Sequence, residues 1–136
     1  MSIYYGYGKT SVGAQKVARV ALSPGAANAI SFAWQNPESR PIIVTGVILD
    51  VTTAGGTPNA VMDIGVVSSP TSSGDRLIDG ANINTVAVYG SPFGANGVNA
   101  GKMDEKGGNN DYITGTILTA NAMNLAGNVY IFYIVL

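Results

Sequence analysis

A chain of 136 residues with no His and no Cys, and with seven Lys and Arg against eight Asp and Glu, has the size of one domain but lacks the side chains that most often do chemistry at neutral pH. The lack of Cys excludes disulfides and thiolate metal sites, and a net charge of −1 with dispersed basic residues leaves no electrostatic footprint for nucleic acid. With only 11% of residues charged, well below the usual quarter, some of the surface is expected to be covered by other subunits.

Residues 1–15 hold Tyr4, Tyr5 and Tyr7 with three glycines and little alternation, and read as an extended arm leading into a domain spanning 16–136. The segment has no basic leader, so it is not a secretory signal. The first predicted strand runs from Lys16 to Leu22 and stops at Ser23-Pro24-Gly25. In the next, Ile30, Phe32 and Trp34 alternate with Ser31, Ala33 and Gln35, the period of a half-buried strand. Ile42 to Val51 is apolar on both faces, which suits a central strand covered on both sides by a second sheet or a partner.

Val61 to Val67 is the next strand. Residues 68–84 read as a polar connection with Leu77 and Ile78 tucked under it, and Thr85 to Tyr89 as a short strand. Residues 90–110 are rich in Gly and Asn, a composition too flexible for regular structure, and read as a functional loop. Tyr112 to Thr119 and Asn128 to Leu136 close the domain. The closing apolar run is far shorter than the roughly 20 residues of a membrane-crossing helix. About seven strands and no useful helix predict an all-β, single-domain β-sandwich or jelly roll with an N-terminal arm.

Few residue patterns suggest chemistry. Gly8-Lys9-Thr10 has the end of a phosphate-binding loop, but Ile3 stands where that motif needs its first glycine, and no strand and helix flank it. Asp63, Asp75, Asp79, Asp104, Glu105 and Asp111 are a pool of hard oxygen ligands for an ion such as Ca²⁺, yet their spacing matches no calcium loop and short Asp side chains commonly build turns. No pair of them stands out as a glycosidase acid and nucleophile. Trp34 shares the pattern of Ile30 and Phe32 and is expected in the core. Tyr4, Tyr5 and Tyr7 have no pattern that buries them within the monomer, which makes them the candidate partner-binding residues, ordered on a neighbouring subunit's sheet edge. No catalytic residue, metal ligand or cofactor is expected.

The stretches Phe32-Ala33-Trp34-Gln35-Asn36-Pro37-Glu38 and Pro41 to Thr53, followed by Asp63-Ile64-Gly65-Val66, Leu77-Ile78-Asp79-Gly80, Asp111-Tyr112-Ile113-Thr114-Gly115 and Gly127-Asn128-Val129-Tyr130-Ile131, resemble a family of small virion proteins of tailed bacteriophages, of capsid decoration, cement or head-fibre type. The resemblance covers most of residues 32–134, and the 90–110 segment departs from its pattern. It implies a jelly-roll-like sandwich on the capsid surface of a virion, made in the host cytoplasm. Such a protein is a homo-oligomer, with a trimer favoured, bound to the major capsid protein and not to nucleic acid or membrane. The other reading is a host-surface or carbohydrate-binding module of a fibre or tail, with a concave aromatic face or loop tips as its site.

Overall fold

The computed structural model describes residues 14–91 and 101–136, and these residues form nine strands and no helix. In chain order the strands are β1 (Gln15–Ala21), β2 (Ile30–Gln35), β3 (Ile42–Thr53), β4 (Val61–Val67), β5 (Ile78–Asn82), β6 (Ala87–Ser91), β7 (Gly101–Met103), β8 (Tyr112–Leu118) and β9 (Ala126–Val135). Alternation drives their assembly. Ile42, Val44, Val47, Leu49 and Val51 of β3 are all fully buried, and so are Val129 and Ile131 of β9. An apolar row of this kind is stable only against a second layer.

Two antiparallel sheets supply the layers. One has the order β1-β9-β3-β6, with β7 also paired to β3, and the other the order β2-β8-β4-β5. Successive strands mostly switch between sheets, the connectivity of a jelly roll. β6 pairs with residues 47–51 of β3 and β7 with residues 42–44, so β6 and β7 act as two halves of one edge strand. Phe32, Met62, Ile64, Ile78, Ile113 and Ile117 close the core from the second sheet, Met103 of β7 joins it from the first, and Leu77, Ile83 and Leu125 enter it from the connections.

The sandwich, the exact span of β4 and the burial of Leu77 and Ile78 match the sequence reading. Three details differ. Ile78–Asn82 is a strand rather than part of a polar connection, because pairing with β4 satisfies its backbone. The 90–110 segment is not free of regular structure, since β6 reaches Ser91 and β7 occupies Gly101–Met103. Finally, Ile30 does not share a face with Phe32 and Trp34. The β2–β8 register shifts between Ile30 and Phe32, and this bulge turns Ile30 outward while Phe32 and Trp34 point inward. Ser31, at the bulge, is buried and donates its hydroxyl to the Ser23 carbonyl at 2.8 Å.

Candidate functional site

The two faces of β3 are treated differently by the fold. Its inner row is buried in the sandwich, whereas Ile43 and Ile48 point outward and stay half-exposed. The β3–β9 register sets Ile43 beside Ile134 and Ile48 beside Tyr130, with Phe132 opposite Gly46. On the other side of β9, the β1 register places Val17 beside Phe132 and Arg19 beside Tyr130. Across β3, Val88 of β6 lies beside Asp50. Directly paired residues share a face, so Val17, Ile43, Ile48, Val88, Tyr130, Phe132 and Ile134 form one apolar surface, with Gln15, Arg19, Asp50, Lys102 and Asn128 around it.

Val17 is 58% exposed and Val88 66%, unusual values for β-branched residues on a continuous apolar face. A surface with aromatic and aliphatic centre and polar rim has the composition of a protein–protein interface. The sequence signal was there: β3 and β9 are apolar at both parities, which a one-sided strand does not require.

β1 is anchored at its start. Lys16 Nζ lies 2.9 Å from Glu38 Oε2, and the Tyr133 hydroxyl donates to the same oxygen at 3.2 Å. Hydrogen bonding to Lys16 lowers the Glu38 carboxyl and that to Glu38 raises the Lys16 ammonium relative to their ordinary values. Burial, reinforced by Glu38, raises the Tyr133 phenol. The Tyr133 ring packs 5.4 Å from Trp34, and both pack with the core, as expected of Trp34. This cluster fixes the start of β1. Tyr4, Tyr5, Tyr7 and Gly8-Lys9-Thr10 lie outside the described residues.

Five of the six candidate carboxylates fall into two groups. Asp104 Oδ2 accepts from the N–H groups of Asn109 and Asn110, and buried Asp111 accepts from Gln35 Nε2 at 2.7 Å and the Gly107 N–H at 2.9 Å. These are turn-building roles. Asp63, Asp75 and Asp79 instead converge on the outer face of the other sheet. A cleft of about 340 Å³ is lined by Val66, Arg76, Leu77, Gly101, Lys102 and Asn110, with no aromatic side chain among the described residues of its lining. Among the described residues no helix is long and apolar enough to cross a membrane.

No family model and no curated protein matches the sequence. Among solved structures, a chain of the cyanophage Pam1 capsid asymmetric unit superposes with a TM-score of 0.58 at 19% identity, covering 99% of this chain and 94% of that one. A chain of the capsid of Ralstonia phage GP4 gives a TM-score of 0.58 at 16% identity, over 96% and 90%. The expected likeness to phage virion proteins is present at the level of the whole fold, and this chain is built as a β-sandwich of a kind found in two phage capsids.

Proposed function

We propose that the protein is a structural virion component, a decoration or cement protein that binds the outer surface of a phage head and stabilises it without catalysis. The apolar outer face of the β1-β9-β3-β6 sheet carries this reading. Such a face loses its exposure to water by lying on the major capsid protein or on another copy of the chain, and spreading contact over a flat sheet suits a protein that links neighbouring capsomers. The fold shared with chains of two phage capsids supports the same role. A homotrimer is the favoured assembly, with Tyr4, Tyr5 and Tyr7 of the arm adding aromatic anchors on a neighbour.

Counting copies in purified virions by quantitative mass spectrometry tests the proposal. Hundreds of copies per particle are the expected result for a decoration protein. A handful per particle would replace it with a fibre or tail component, and none would remove the virion role.

A further inference from the structure

The outer face of the β2-β8-β4-β5 sheet carries a cluster that docking by the opposite sheet leaves unused. One oxygen from each of Asp63, Asp75 and Asp79 lies within 4.8 Å of the others. They arrive on three pieces of chain. Asp63 lies on β4. Asp75 follows Gly74, which rests directly on Gly65: a β-carbon on Gly65 would stand 2.8 Å from the Asp75 nitrogen. Asp79 is on β5, whose pairing with β4 is irregular between Met62 and Ile64, and the neighbouring Gly80 N–H donates to Asp63 Oδ1 at 2.8 Å. Burial raises the Asp63 carboxyl above its ordinary value; the Gly80 N–H offsets part of this, and the charges of Asp79 and Asp75 add to the rise.

An independent feature adjoins the carboxylates. Thr116 of β8 is the direct cross-strand partner of Asp63, so the two side chains project from the same face with β-carbons about 5 Å apart. Thr116 is only 3% exposed, and among the described residues its Oγ1 is a buried oxygen with no hydrogen-bond partner. On its other side the register places Ile30, turned outward by the β2 bulge. Thr116 therefore stands between an apolar neighbour on one flank and Asp63 of the carboxylate cluster on the other. Buried hydroxyls in folded proteins are nearly always paired, and this one belongs to the residue directly across the ladder from Asp63.

We infer that Asp63, Asp75 and Asp79 bind one Ca²⁺-class cation, with Thr116 contributing its hydroxyl directly or through a metal-bound water. The donors are all oxygen, which selects a hard ion. Two ligands on Ca²⁺ at about 2.4 Å can be separated by at most about 4.8 Å, so the three carboxylates stand within reach of one such ion. Ca²⁺ accepts an irregular set of oxygens from three pieces of chain, whereas Mg²⁺ demands a near-octahedral one, which favours the larger ion. Bound there, the cation joins β4, β5 and the connection between them, and neutralises their mutual repulsion.

Titrating CaCl₂ calorimetrically into full-length protein stripped with EDTA, with thermal unfolding in parallel, tests the site. The expected result is one ion per chain with a Kd on the order of 10⁻⁴ to 10⁻³ M, a midpoint that rises with Ca²⁺, and at least roughly tenfold weaker binding of Mg²⁺. Asp63→Asn, and separately the exposed pair Asp75→Asn with Asp79→Asn, should abolish the Ca²⁺ response while unfolding in EDTA no earlier than the wild type. Thr116→Val should weaken binding severalfold with no loss of EDTA midpoint. The inference is overturned by no heat and no midpoint shift at roughly 10 mM CaCl₂, by a shift that survives in the Asp75 and Asp79 variant, by wild-type affinity in Thr116→Val, or by Mg²⁺ binding as tightly as Ca²⁺.

Discussion

Phe32 of β2 lies across the ladder from Gly115 of β8, and its ring occupies the space that a side chain at Gly115 would need. A β-carbon there would collide with Phe32 Cε1, lie 2.6 Å from Cδ1 and press on Met62 Sδ at 3.1 Å. The glycine is thus a packing requirement that makes room for an aromatic ring over β8, an interior strand of its sheet. Gly115→Ala should destabilise the fold by about 1–3 kcal/mol through overpacking, and Phe32→Ala by about 3–5 kcal/mol through the cavity it leaves. Chemical denaturation of both single variants and the double variant checks this. The double variant should lose less than the sum, because removing the ring makes room for the new methyl.

Asp111 gives the fold an acid-sensitive joint. Burial pushes its carboxyl up, but the hydrogen bonds from Gln35 and the Gly107 N–H outweigh this and leave it below its ordinary value. A carboxylate whose folded pKa is depressed adds stability above its unfolded pKa, near about 3.9, and this contribution is lost as pH falls through the lower folded value. Asp111→Asn should be less stable at pH 7 by about 1–3 kcal/mol and should show a flatter decline at acid pH below about 4. Unfolding midpoints measured across that range for both proteins decide it; parallel acid declines would remove Asp111 as the cause.

Replacing Phe132 by Asp puts a charge in the middle of the apolar face without entering the inner core. The expected outcome is a protein that still folds, with its binding to capsids or to its own copies weakened roughly thirtyfold or more, the equivalent of an aromatic anchor contributing about 2 kcal/mol. Circular dichroism reports the fold and sedimentation or capsid occupancy reports the binding. Undiminished binding would show that another surface docks.

Deleting residues 1–13 should leave the thermal midpoint nearly unchanged, since the described strands from Gln15 onward already enclose the core. Occupancy on capsids, or the oligomeric state, should fall because Tyr4, Tyr5 and Tyr7 leave with the segment. A collapsed midpoint would instead assign the tyrosines to the monomer's own core.

The sequence by itself determined the fold class and the position of most strands, because period-two burial is a local property: β4 is legible residue by residue, and the doubly apolar β3 and β9 already announce a second covered face. The low charge pointed the same way. What only the tertiary structure decided depends on register and on contacts distant in sequence. The bulge after Ile30 reverses that side chain relative to Phe32, β5 becomes a strand only because β4 is there to pair with it, and β7 completes an edge begun at β6. Asp63, Asp75, Asp79 and Thr116 have no informative spacing along the chain. They meet because one glycine contact lays a connection onto β4 and one ladder sets Thr116 opposite Asp63, and a three-dimensional coincidence of that kind leaves no linear motif.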